Sequence, residues 1–239
     1  MADSIYAPGI AVSTAAAALP ARHSALVRVT HWINALSFVG LLVSGIGILL
    51  AHPRFYWGET GGVGTPSLFD LPLPFMLGGP SGWGRYLHFQ SAWLCVLNGM
   101  LYAASGIASH HFPRDLAPGR DLTWPCLRDS LASHLRFARP AAEQAWSYNI
   151  LQRLTYLAVI FLLFPLIIWT GLAMSPAVTS VFPGLVTTLG GHQCARTLHF
   201  FAAIVSLLFV AVHIAMVWRA GFRKRVGAMI TGRVPEEGL

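Results

Sequence analysis

The sequence predicts an all-α integral membrane protein, a bundle of four spanning helices with both termini in the cytoplasm. Three observations carry this reading. Only 10% of the 239 residues are charged, 16 basic and 9 acidic, against about 25% in a soluble domain. Apolar residues make up 55% and the mean hydropathy is +0.59, which excludes a disordered chain and leaves too few charges to solvate a soluble enzyme. The apolar residues also fall into four separate runs of about 20 residues, the length a helix needs to cross a bilayer.

In chain order, residues 1–22 are alanine-rich, carry Asp3 and lack a basic n-region. They read as a poorly ordered tail rather than a secretory signal. The four-span domain follows over 23–233, and 234–239 form a C-terminal tail. The spans are expected at 29–51, 86–109, 154–174 and 197–218, none of which contains Asp, Glu, Lys or Arg. Pro165 is expected to kink the third, which membrane helices tolerate. The first loop, 52–84, is rich in Gly, Pro and aromatics, among them Phe55, Tyr56, Trp57, Phe69, Phe75 and Trp83. It is read either as an interfacial or re-entrant loop on the bundle or as a docking surface. Between the second and third spans, Leu127, Leu131, Leu135 and Ala138 recur at helical spacing beside Arg128, Asp129 and Arg136. This predicts a short surface helix ending at Pro140.

The basic residues set the orientation. Thirteen flank the runs on one side: Arg22 and Arg28; Arg114, Arg120, Arg128, Arg136, Arg139 and Arg153; and Arg219, Arg223, Lys224, Arg225 and Arg233. Arg54, Arg85 and Arg196 alone lie on the other. The richer side is the cytoplasmic one. This sorting accounts for the net charge of +7, and nucleic-acid binding is not predicted. The three cysteines, at 95, 126 and 194, form no CxxC or CxxCH, so a zinc ribbon, a dithiol pair and a covalent c-type haem are unsupported.

Four of the ten histidines lie inside the spans: His31, His88, His199 and His213. Ionisable groups at membrane depth are functional candidates. His199 and His213 stand 14 residues apart on the fourth span, on one face, and separated by about 21 Å along the axis. Two haems stacked across a bilayer need ligands at about that separation. His31 sits at the cytoplasmic start of the first span and His88 at the outer start of the second. Depth therefore pairs His31 with His213 inside and His88 with His199 outside. Two neutral imidazoles on one iron suit electron transfer.

Arg28, Arg85 and Arg196 each precede a candidate ligand by three residues, about one turn. A guanidinium there can pair with a haem propionate; the alternative is a boundary arginine whose stem lies in the apolar layer. Gly45 and Gly106 fall on the faces of His31 and His88, at the depth of the opposite haem. They permit either close macrocycle approach or small-residue helix packing. His23, His52, His110, His111, His134 and His192 are read as loop or boundary residues.

The run Arg28-Val29-Thr30-His31-Trp32, the outer His88, and His199 with His213 together resemble the bacterial four-span di-haem cytochrome b subunits of nickel–iron hydrogenases, formate dehydrogenases and thiosulfate reductases, the b561-type superfamily. The resemblance covers nearly the whole chain. Segments Tyr56-Trp57-Gly58-Glu59, Gly82-Trp83-Gly84-Arg85, Tyr148-Asn149-Ile150-Leu151-Gln152-Arg153 and Ala195-Arg196-Thr197-Leu198-His199-Phe200 look like a branch paired with a molybdopterin oxidoreductase. The long first loop departs from the family pattern. The resemblance implies two b-type haems and a place in the bacterial inner membrane. It also implies a soluble molybdopterin or hydrogenase-like redox partner on the outer face, and quinone as exchangeable partner near the cytoplasmic haem. At the start of the third span it points to Asn149 and Gln152 as quinone contacts, Asn149 matching the family's polar contact best. A stand-alone superoxide:quinone oxidoreductase on the same scaffold is the alternative. A transporter is disfavoured, because spans without acidic residues offer no cation relay.

Overall fold

The computed structural model describes residues 24–62, 64–73, 82–110, 112, 122–135 and 150–232. Four helices long and apolar enough to cross a membrane dominate it: α1 (Ala25–Ala51), α2 (Gly82–Ala108), a third span over Ile150–Ala173, and α8 (His192–Arg219). This is a multi-pass membrane protein. Each helix begins four or five residues before its apolar run, so Arg28, Arg85, Arg153 and Arg196 lie in the opening turns. Ser24 caps α1, its Oγ accepting from the Val27 N–H at 3.3 Å.

Packing follows membrane logic, with large apolar residues facing out and small or polar ones facing in. Leu36, Val39, Val43 and Ile46 of α1 are exposed, whereas Thr30, Ser37, Ser44 and Gly47 are buried. The buried set faces α2, and α1 packs mainly on α2 as α8 packs on the third span. Gly40 meets Ser91 so closely that a Cβ would collide with its Oγ. Asn98 of α2 donates through Nδ2 to the Thr30 carbonyl at 2.7 Å and to Asn34 Oδ1 at 2.8 Å. These bonds hold the α1–α2 pair in register where the hydrophobic effect cannot.

The third span comprises α4 (Ile150–Ala158), a π-helical turn over Val159–Leu163, and α5 (Phe164–Ala173). The predicted disturbance at Pro165 takes this form: Pro165 has no N–H, and the Phe164 N–H reaches back five residues to the Val159 carbonyl. Gly106, read in sequence as room for either a macrocycle or a packed helix, meets the Phe112 ring, which also packs on Tyr102 and Phe161. That position is a socket for an aromatic side chain.

Two short strands, β1 (Arg54–Phe55) and β2 (Phe69–Asp70), pair antiparallel in the first loop. At two residues each they are too short to show a period-2 pattern in sequence. Phe55 is 2% exposed, stacked on Phe69 and packed at a tilt against Phe200. The hairpin thus lies on the bundle, and the segment after β1 caps α8. The Gly58 carbonyl accepts from the Gln193 and Cys194 N–H groups at 3.0 and 3.4 Å, the Gly58 N–H donates to Cys194 Sγ at 3.0 Å, and Thr197 Oγ1 donates to the Tyr56 carbonyl at 2.8 Å. Donors that a helix start leaves open are thereby satisfied. The motif Tyr56-Trp57-Gly58-Glu59 accordingly serves as a cap. On the same side, α6 (Pro176–Thr179) and α7 (Gly184–Thr187) bridge the third and fourth spans.

The opposite side carries α3 (Trp124–Leu135) and α9 (Phe222–Thr231). Helix α3 matches the expected surface helix; its expected end at Pro140 lies outside the described residues. Helix α9, with Arg223, Lys224 and Arg225, is pinned to α1. Arg28 Nη1 donates to the Ile230 carbonyl at 2.7 Å and Trp32 Nε1 to the Met229 carbonyl at 3.2 Å.

His52, just past α1, carries a pH consequence for the hairpin. Burial, then the charges of Arg196 and Arg85, hold its imidazole below the ordinary histidine range. The unfolded chain takes up this proton near pH 6.5, as a free histidine does (about 6.5), and the folded chain only at lower pH. Its contribution is therefore complete above about pH 6.5 and is lost as pH falls through the folded value. The protection factor of the Leu68 amide, the ratio of its intrinsic to its observed exchange rate, is expected to fall on acidification below that point; this amide bonds the Phe55 carbonyl at 2.7 Å. In His52→Gln the added acid sensitivity should vanish; its persistence would assign it elsewhere.

Candidate functional site

The structure brings the four span histidines together in two facing pairs. His31 of α1 and His213 of α8 have ring centres 6.3 Å apart, inclined at 53°. His88 of α2 and His199 of α8 have ring centres 6.2 Å apart, inclined at 65°. The first pair lies toward the side of α9, the second toward the hairpin. Each joins α8 to a helix of the α1–α2 pair.

The hairpin-side pair is held by a repeated device. Ser44 Oγ lies 3.0 Å from His88 Nδ1, and Thr170 Oγ1 lies 3.0 Å from His199 Nδ1. Each hydroxyl also donates into its own helix: Ser44 to the Gly40 carbonyl at 2.6 Å, Thr170 to the Leu166 carbonyl at 2.8 Å. A hydroxyl has one proton to give. Where that proton goes to the carbonyl, the oxygen meets the imidazole as acceptor and Nδ1 carries the hydrogen. Nε2 of both rings is then an unprotonated lone pair, the form in which histidine binds a metal. A glycine follows each hydroxyl. A Cβ on Gly45 would lie 3.9 Å from His88 Cε1, and one on Gly171 3.4 Å from His199 Cε1. Sequence reasoning found Gly45 but missed Ser44, Thr170 and Gly171.

The other pair is built differently. His31 Nδ1 is buried with no hydrogen-bond partner among the described residues. Trp32 meets the His31 ring edge-on at 5.3 Å, and Phe209 stacks on His213 at 6.0 Å.

The arginines divide. Arg28 binds the end of α9 through Nη1, while its Nε is buried without a partner among the described residues. Gly232, at φ 79°, leaves room for this guanidinium, since a Cβ there would lie 3.0 Å from Arg28 Cζ. Arg196 Nη2 donates to the His52 carbonyl at 2.5 Å, and the guanidinium lies over the Phe55 ring at 5.1 Å. Arg85 is exposed. Gln152 lies in the first turn of α4 and is partly buried; Asn149 lies outside the described residues. Among the described residues, no group of three or more His, Cys, Asp or Glu side chains converges as a metal site.

Residues 22–232 match the family model for prokaryotic cytochrome b561. A putative protein-methionine-sulfoxide reductase subunit YedZ1 from Azospira oryzae is 32% identical, over 82% of this chain and 89% of that protein. The putative cytochrome YdhU of Escherichia coli is 29% identical, over 90% and 69%. The cytochrome b556(fdo) subunit of formate dehydrogenase from Escherichia coli is 26% identical, over 89% and 84%. No solved structure matches the chain significantly. A match to the family model over nearly the whole chain, and a relative of this identity and coverage, place the protein in the prokaryotic cytochrome b561 family.

Proposed function

We propose that this protein is the membrane electron-carrying subunit of an oxidoreductase. It holds two b-type haems, one between His88 and His199 and one between His31 and His213. Electrons pass between a soluble redox partner on the hairpin face and quinone at the face carrying α3 and α9, the hairpin face being extracytoplasmic. The observation that carries the reading is the gap between the rings. An imidazole nitrogen binds a transition metal at about 2.0–2.1 Å and lies about 1.1 Å from its ring centre, so two imidazoles on opposite sides of one metal have centres about 6.3 Å apart. Both pairs stand at that distance.

The residues fit haem better than a bare ion. Among the described residues each site offers two protein nitrogens and no third ligand, which suffices where a porphyrin supplies the other four. His31 Nδ1 and Arg28 Nε, unpartnered among the described residues, and the Cβ-free positions Gly45 and Gly171 fit the same group. Haem supplies a one-electron couple without proton chemistry when held by two imidazoles. The chain's own part is to orient the four rings, keep Nε2 of His88 and His199 unprotonated, and exclude water with the hairpin and its aromatic stack. Arg85 and Arg196 at one end, and the free donor of Arg28 at the other, stand one turn from the ligands and are suited to propionates. We assign a quinone carbonyl to Gln152, in the first turn of α4, and to Asn149, as the sequence resemblance implies.

A soluble oxidoreductase partner agrees with two of the relatives, named as a putative protein-methionine-sulfoxide reductase subunit and a formate dehydrogenase subunit; the molybdopterin class is what the sequence resemblance implies. The test is reduction of the purified cytochrome in nanodiscs by a short-chain quinol. Rapid reduction is expected, slowed at least tenfold in Gln152→Leu with haem content unchanged. Equal rates in the two proteins would remove Gln152 from the quinone site. Fast partner-free reduction by superoxide would favour the stand-alone superoxide:quinone oxidoreductase.

A further inference from the structure

We infer that Ser44 and Thr170 are positioning residues for the hairpin-side haem, and that they hold its potential down relative to a site with unbonded ligands. The inference rests on the reading of His88 and His199 as haem-binding residues and concerns what lies behind them.

The two hydroxyls occupy equivalent places. Ser44-Gly45 on α1 faces His88 on α2, and Thr170-Gly171 on the third span faces His199 on α8. In each case a hydroxyl lies 3.0 Å from Nδ1 and a glycine lies beside Cε1. In each case the hydroxyl is anchored to the carbonyl four residues earlier, at 2.6 or 2.8 Å. Ser44 and Thr170 are fully buried, each at 0% exposure, so water does not replace them. The hydroxyl is thus a fixed acceptor rather than a free rotor. A ligand imidazole that donates Nδ1–H to an acceptor becomes a more basic ligand, and a more basic ligand favours ferric over ferrous iron. In the other pair His31 lacks the device, its Nδ1 having no partner among the described residues. The two haems are accordingly set apart, with the hydroxyl-backed one the poorer electron acceptor.

The arrangement also fixes ring rotation. Each imidazole is pinned at Nδ1 from a neighbouring helix, so the angle between the two rings is determined by helix packing rather than by the porphyrin.

The test is a mediated redox titration of the full-length protein, with haem count and low-spin EPR recorded on the same samples. In Ser44→Ala and in Thr170→Val, the hairpin-side haem should shift toward ferrous about tenfold at fixed ambient potential, which is about 59 mV upward for one electron. Its ferric EPR signal should move, and the other haem should change in neither respect. Ser44→Thr and Thr170→Ser keep a hydroxyl and should restore wild-type values. Loss of the haem in Ser44→Ala with rescue in Ser44→Thr also supports the assignment. An unchanged potential and EPR signal in haem-replete Ser44→Ala and Thr170→Val overturns it, as does failure of both conservative variants to restore wild-type values. A wild-type protein without haem overturns the ligand reading as well; the pigment count shows that before any potential is measured, so the two failures are distinct.

Discussion

Replacing His199 with alanine is expected to halve the haem content and to remove the hairpin-side haem alone. His199 is the ligand candidate most tightly built into its surroundings. Thr170 holds its Nδ1, Gly171 leaves space beside its Cε1, and the His88 ring faces it at 6.2 Å. His88→Ala should give the same loss, because a single remaining imidazole leaves one side of the iron open. His213→Ala should remove the other haem and spare this one, since it lies about 21 Å away along α8. Pyridine haemochrome assays give the count, and far-UV circular dichroism checks that the helices persist. A His199→Ala protein that keeps full haem, with its helices intact, would remove His199 from the site.

Gly191→Ala is expected to destabilise the hairpin end severely. Gly191 precedes α8 with φ 117°, a conformation that residues with a side chain rarely adopt, and an added Cβ would lie 2.5 Å from the Gly58 carbonyl oxygen. The obstruction is backbone, so no side-chain rotation relieves it. The conformational strain alone costs about 1–3 kcal/mol, and pushing Gly58 away breaks the cap on Gln193 and Cys194 as well. In a chain of this size each kcal/mol lowers Tm by about 2–4 °C. Thermal unfolding in detergent should therefore show a drop of several degrees, with the haem held by His199 released first. Gly62→Ala, where a Cβ meets nothing within 4 Å, is the matched control. A Gly191→Ala protein as stable as that control would contradict the capping role.

Both results depend on features of unequal visibility in the sequence. The spans were legible because a bilayer demands long uncharged runs, and their histidines because charge at that depth is rare. The pairing was legible because helix rise converts residue number into depth. Ser44 and Thr170 were not legible: a serine or threonine in a membrane helix ordinarily satisfies itself on the carbonyl four residues back, and nothing local shows that a histidine on another helix shares the oxygen. Arg28 was legible as a boundary cation, yet the carbonyl it binds belongs to Ile230, some two hundred positions later. The hairpin escaped because two-residue strands carry no pattern, although the aromatic residues that seat it stood out. Gly106 is compatible in sequence with either a macrocycle or a packed helix, and its neighbour is the Phe112 ring. Small residues record close approach without recording what approaches.

The central claim is that two facing histidine pairs each hold one b-type haem. Haem per polypeptide in the purified wild-type protein tests it most directly, by pyridine haemochrome absorbance against quantitative amino-acid analysis. Two haems per chain are expected, with reduced spectra of six-coordinate b-type character. A ratio of one, or of none in protein that retains its helices, would contradict the account.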